Sequence, residues 1–103
     1  MKNYIYMIGN NLGAVKVGVS NNPSRRVKQL QTANQDKLSL LFQEEFECSR
    51  HHVLQVEKLV HKDLARICNK KSGEWFSITP EQIEQVKNTI IWHRIRYDDC
   101  VIN

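Results

Sequence analysis

Residues Tyr4 to Thr32 constrain the fold of this chain more than any other stretch. Two β-like runs, Tyr4–Ile8 and Val15–Ser20, are parted by Gly9-Asn10-Asn11-Leu12-Gly13, a cluster of turn formers. If Gly9 to Gly13 is the loop, Ile8 faces Ala14, Tyr6 faces Lys16 and Tyr4 faces Gly18. Strand side chains alternate between faces, so opposed residues share one. One face then carries Ile5, Met7, Val15, Val17 and Val19. The other carries Tyr4, Tyr6, Ile8, Lys16, Gly18 and Ser20. An even-numbered loop would mix the two sets, because a slip of one residue flips every side chain. The odd loop keeps them apart and sets Tyr6 beside Lys16.

The second strand leads straight into Asn21-Asn22-Pro23-Ser24-Arg25-Arg26. Asn21 or Asn22 suits an N-cap and Pro23 the first helical position, so a helix starts there. At about 100° per residue, Val27 and Leu30 define its inward stripe, with Arg26 on the edge and Arg25 pointing almost the opposite way. Leu38–Phe46 reads as a third strand. His51–Cys68 reads as a helix, with Val53, Val56, Val60, Leu64, Ile67 and Cys68 at helical spacing. Asn69-Lys70-Lys71-Ser72-Gly73 stops that helix, Gly73 suiting its end. The segment Glu74–Ile78 is a short strand or an extended run, with Trp75 and Phe76 in the core; Glu74 has no assigned role. Thr79-Pro80-Glu81-Gln82 opens a last helix through Arg96, with Gln82 completing a capping box and Ile83, Val86, Ile90 and Ile91 on its buried side. The expected fold is α/β: a small central three-stranded antiparallel sheet flanked by helices. It forms one layered domain over residues 1–97, with 98–103 a frayed tail.

With 103 residues there is room for a single core. No run approaches the roughly 18 apolar residues that a membrane helix requires. The opening Tyr-Ile-Tyr-Met-Ile is too short and aromatic for a signal peptide, which points to the cytoplasm. Lysine and arginine total 15 against 11 acidic residues, a net charge of +4. That excess permits a polyanionic partner without requiring one. Cys48, Cys68 and Cys100 are an odd number at wide spacing, no disulfide framework, and are expected as reduced thiols. Cys48, His51, His52, His61 and Cys68 superficially offer zinc ligands, but their spacing fits no common structural site. Cys68 is better explained as packing, and His51 and His52 as the solvated start of a helix.

Glu57 falls inside the apolar arc of the Val53–Leu64 helix, with His61 one turn on along the same side. A buried carboxylate needs an ion-pair partner or a metal. A salt bridge to Arg26 or Lys16 satisfies that need. So does Mg²⁺, a hard cation that takes one or two protein carboxylates and keeps its waters. Tyr4 and Tyr6 are ordinary strand residues, yet a cation beside a phenol favours the phenolate, as a tyrosine general base requires. Lys62, Arg66, Lys70 and Lys71 run along and past this helix. They form a solvated face or, with Arg25 and Lys28, a track for neighbouring phosphates.

Taken in order, these residues resemble the GIY-YIG nuclease superfamily, in particular a compact branch frequent in phage and bacterial genomes. Tyr4-Ile5-Tyr6 is similar to the first motif, with Tyr6 at the catalytic tyrosine, and Lys16-Val17-Gly18 follows where the second belongs. Ser20–Arg26 is similar to the strand-to-helix segment and puts Arg26 at the essential arginine. Glu57 matches the metal-binding glutamate, and Val56–Leu64 and Gly73–Ile78 also resemble this branch, whose members often carry histidine at the position of His61. The resemblance spans residues 3–79. Lys16 stands in place of the second tyrosine, Leu30 where many members have histidine, and Tyr4 in place of a glycine.

The resemblance implies a small Mg²⁺- or Mn²⁺-dependent endonuclease that hydrolyses DNA by nicking or as a dimer; RNA remains open as substrate. Tyr6 would activate the attacking hydroxide, Lys16 would hold the phenol reactive or touch the phosphate, and Arg26 would stabilise transition-state charge. Glu57 would hold the metal, and His61 would contact the phosphate or orient a metal-bound water. Tyr4, Ser20, Arg25, Lys28, Lys62, Arg66, Lys70 and Lys71 would contact the nucleic acid. No membrane is implied. A homodimer or a partner protein would supply specificity, in the cytoplasm of a bacterial or phage-infected host cell. The Lys16 and Leu30 departures motivate an alternative, a GIY-YIG-like nucleic-acid-binding or regulatory module without turnover. A protein–protein adaptor has only the exposed Trp92 region of the last helix in its favour.

Overall fold

Strands β1 (Lys2–Asn10) and β2 (Ala14–Ser20) pair as an antiparallel hairpin in the computed structural model, which describes residues 2–10, 12–72 and 75–102, the side chains of 70–72 and 98–102 excepted. Asn10 builds the turn: its Oδ1 accepts from the backbone N–H groups of Leu12 and Ala14 at 2.8 and 3.0 Å. Gly13 takes a φ of 87°, a conformation that costs a residue with a Cβ. The loop is odd, as the alternation requires, but the register lies two residues from the expected one. Tyr6 opposes Gly18 and Ile8 opposes Lys16, so Tyr6 and Lys16 are diagonal rather than opposite. Both faces keep their expected membership, because a shift of two preserves parity.

Helix α1 (Pro23–Gln31) follows β2, capped by Asn22, whose Oδ1 accepts from the Arg25 N–H at 3.2 Å. Strand β3 (Leu38–Glu47) then pairs with β1 on the far side, and α2 (Arg50–Ile67) crosses the sheet. Strands β4 (Asn69–Ser72) and β5 (Trp75–Ser77) form a second hairpin, and α3 (Pro80–Ile102) closes the domain. The antiparallel sheet has the order β3-β1-β2-β5-β4, five strands where the sequence suggests three. Asn69–Ser72 is an edge strand rather than a helix stop. Its polar, lysine-bearing composition hides strand character but suits a sheet edge. Helix α3 continues through Ile102, past Arg96 and into the expected tail.

Helices on both sides bury both faces of the central hairpin. Ile5, Met7, Val15 and Val17 meet Val53, Val60 and Leu64 of α2 and Val86 and Ile90 of α3. On the other face Tyr6, Ile8 and Leu38 pack with Val27 and Leu30 of α1 and with Trp75. Strand β3 serves both cores through a bulge opposite Met7/Ile8, which leaves Leu41 as the extra residue. Leu38 and Leu40 therefore join the α1 side, while Phe42 and Phe46 join the α2–α3 side.

At the α3 start, the Thr79 N–H donates to Gln82 Oε1 at 2.9 Å, and Gln82 Nε2 donates to the Ile67 carbonyl at 2.6 Å. Ile91, expected on the buried side of α3, is exposed, as is Ile67 on α2. His93 takes a buried place, with Nε2 2.6 Å from Asp63 Oδ2. Cys48 and Cys68 are free thiols; burial pushes the Cys68 thiol pKa up, as expected of a packing residue. Cys100 and Gly73 lie outside what is described. Among the described residues, no helix is long and apolar enough to cross a membrane.

Candidate active site

Strand β2 pairs with β1 as far as Tyr4↔Ser20 and, among the described residues, with β5 as far as Lys16↔Trp75. The last residues of β2 lead from these ladders into α1. A cavity of about 410 Å³ opens there, lined by Tyr6, Val19, Ser20 and Asn21 with Arg26 and Gln29 of α1 and Arg50, Leu54 and Glu57 of α2. Tyr6 and Val19 belong to opposite faces of the sheet. Both reach one cavity because it wraps the edge of the strand.

Tyr6 gets there across Gly18. A Cβ at Gly18 would lie 2.5 Å from the Tyr6 hydroxyl oxygen and 2.7 Å from the adjoining ring carbon. The glycine is thus required by the phenol that crosses it, with the ring itself only 1% exposed. Ser20 Oγ accepts from the Asn22 N–H at 2.9 Å and so shapes the entry to α1. The Asn22 carbonyl then accepts from the Arg26 N–H at 3.1 Å. Arg26 leans on Gln29 through an Nη1–Oε1 contact at 3.5 Å.

Glu57 is 9% exposed, within the buried arc of α2, with its Oε2 enclosed. Arg50 sits two turns earlier on the same face, at the first position of α2 after the Ser49 cap. Sequence reading missed it because nothing distinguishes an arginine at a helix start from a solvated one. One signal existed: a cation in the first turn opposes the helix dipole, and that turn carries no acidic residue. The lining holds two guanidiniums against one carboxylate. The cavity is suited to an anion.

Of the residues singled out in the sequence, Tyr6, Ser20, Arg26 and Glu57 meet at this cavity. Lys16 is buried away from its lining, with its Nζ 5.8 Å from the centre of the Trp75 ring. The Tyr4 hydroxyl reaches Glu45 Oε1 on β3 at 3.4 Å. His61 turns toward the sheet: its Nε2 donates to the Val17 carbonyl at 2.7 Å, and its ring packs on Phe76 at 5.2 Å between centroids. His61 therefore braces the strand and is not among the residues that line the cavity. Arg25 and Lys28 are exposed on α1, and Lys62 and Arg66 lie on the far side of α2 from Glu57. The side chains of Lys70 and Lys71 lie outside what is described.

The profile of the T5orf172 domain matches residues 3–91. The chain belongs to this family. T5orf172 is a nuclease-associated domain, and the match runs from β1 into α3. No curated protein and no solved structure matches the chain.

The Glu57 environment fits a divalent cation of one kind. Among the described residues, no three His, Cys, Asp or Glu side chains gather to hold a metal. A caged zinc or calcium site needs such a gathering. Mg²⁺ does not: it binds through one or two carboxylates and completes its shell with water and substrate phosphate. A single enclosed carboxylate in an open, cationic cavity meets that description.

Proposed function

We propose that this T5orf172 domain is a metal-dependent endonuclease of GIY-YIG type that hydrolyses DNA phosphodiester bonds at the cavity beside β2. The observation that carries this reading is the meeting of Tyr6, Arg26 and Glu57, from three separate elements, around one cavity. A phosphodiester enters as an anion, drawn by Arg26 and Arg50. The Arg26 guanidinium forks onto two non-bridging oxygens and holds the charge that grows there in the transition state. Tyr6, acting as its phenolate, accepts the proton of the attacking water and becomes the phenol, held by its passage over Gly18 where the phosphate arrives. Glu57 would hold Mg²⁺ or Mn²⁺, which when bound supplies charge neutralisation at the leaving oxygen. Lys16 acts from behind, setting Trp75 and the strand rather than touching substrate. Arg25 and Lys28 follow the backbone to either side without reading bases.

The test is nicking of supercoiled plasmid in Mg²⁺ by the purified chain, beside Arg26→Ala and Glu57→Ala. Relaxed circles from the wild type alone support the enzyme. Equal relaxation by all three sinks it. One cavity per chain makes one cut, so double-strand breaks require two chains or two visits.

A second reading is favoured by one observation. The residue at the second-motif tyrosine position, Lys16, is buried beside Trp75 and away from the cavity lining. A nucleic-acid-binding module that has lost turnover would tolerate that. It predicts salt-sensitive gel shifts and intact plasmid with every divalent metal tried.

A further inference from the structure

Helix α2 has a second concave flank. On the side away from Glu57, α2 and α3 enclose a groove of about 440 Å³ whose lining includes Leu59, Lys62, Arg66, Trp92 and Arg96. Trp92 is 52% exposed and Leu59 53%, an apolar surface that water covers at a cost. The Arg96 guanidinium lies 4.8 Å from the Trp92 ring centre, so a flat cation and a flat indole stand as a pair at the mouth. Three cations rim the groove. Its one carboxylate, Asp63, is already engaged by His93 Nε2 at 2.6 Å.

That combination narrows the occupant. A second copy meeting this one through the same patch would set three cations against three, which repels. A purely apolar partner would leave those cations opposite nothing. An anionic chain carrying flat aromatic groups satisfies both the charge and the indole, and the volume suits one small aromatic unit. The α2 cations also repeat at Lys58, Lys62 and Arg66, one helical turn apart, an arrangement that destabilises an isolated helix. A phosphate backbone laid along the helix would relieve it.

We infer that the α2–α3 groove is a stacking site for an unpaired nucleotide of a single-stranded nucleic acid, with the base on Trp92 and the phosphates on Lys62, Arg66 and Arg96. It shares with the nuclease reading only the premise that the partner is a nucleic acid. The active-site cavity lies on the opposite flank of α2, so a strand held here is held outside it.

The experiment uses the full chain with Trp75→Phe, so that Trp92 is the only indole, titrated with single-stranded oligothymidine. Trp92 emission is expected to quench on binding, and Trp92→Ala, read by anisotropy of a labelled oligothymidine, to weaken affinity about 5- to 150-fold. Lys62→Gln and Arg96→Gln should each lower the slope of log affinity against log salt by about 0.7. Trp92→Ala binding as tightly as the parent overturns the inference. So does polyglutamate displacing oligothymidine at equal charge, which would make the groove an acidic-peptide site, or a dimer in sedimentation that buries Trp92. Arg26→Ala and Glu57→Gln separate the two readings: quenching that survives both, in a chain that never nicks plasmid, overturns the nuclease reading alone.

Discussion

The two flanks of α2 are made of different materials. Toward α1 the helix offers Arg50, Leu54 and Glu57 to a cavity that wraps a strand edge, where a titratable carboxylate is enclosed. Toward α3 it offers Leu59, Lys62 and Arg66 to a groove with an exposed indole. The first flank pays for a buried charge and positions it. The second leaves apolar surface wet and rings it with cations. Burying a charge specifies a geometry, as chemistry demands, whereas exposing an aromatic face specifies a kind of contact, as binding demands.

Several substitutions break or sharpen that contrast. The largest effect is expected from Arg26→Ala, which should lower single-turnover plasmid nicking by about 100- to 1,000-fold, the loss typical of one transition-state donor. Circular dichroism should be unchanged, since the side chain is half-buried at the cavity. Arg50→Ala follows at about 10-fold, more at low salt than at high, because an exposed cation acts through a field that salt screens. An effect equal to that of Arg26→Ala would move Arg50 into direct contact with the reacting phosphate. Gly18→Ala places a carbon 2.5 Å from the Tyr6 hydroxyl oxygen, so the denaturation midpoint should fall by an amount equal to about 1–3 kcal/mol and nicking should fall with it. Unchanged activity would show that Tyr6 does not need its present path. His61→Ala should cost about 1–3 kcal/mol of stability through the bared Val17 carbonyl while nicking falls only a few-fold. The reverse pattern, full stability and lost activity, would return His61 to the chemistry. The smallest effect belongs to Trp92→Ala, expected to leave nicking of double-stranded plasmid within about threefold, because its contact energy serves an unpaired base.

Local rules reach a definite distance into this molecule. Face membership along β1 and β2 is readable because alternation is a covalent property of the strand. The absolute register is not, because a shift by two leaves every face intact and the choice falls to Asn10, which bonds two N–H groups across the turn. The α1 start is readable from Asn22 and Pro23, since a cap is a contact within three residues. Glu57 is readable because a carboxylate in an apolar arc violates the pattern around it. Arg50 carries only the faint signal of a cation in a helix's first turn, and the placement of α2 beside the cavity gives it meaning. The β3 bulge is hidden for a similar reason: Leu38, Leu40, Phe42 and Phe46 suggest one face in sequence, and only the break in pairing divides them between two cores. His93 and Asp63 sit 30 residues apart, beyond any local rule.

The closeness of Tyr6 to Gly18 has a consequence for how such a domain can change. An added carbon at position 18 would meet the phenol oxygen at 2.5 Å, so a larger residue there is open only to a chain that has also given up the ring at position 6. The two positions sit on different strands and are free to vary only together.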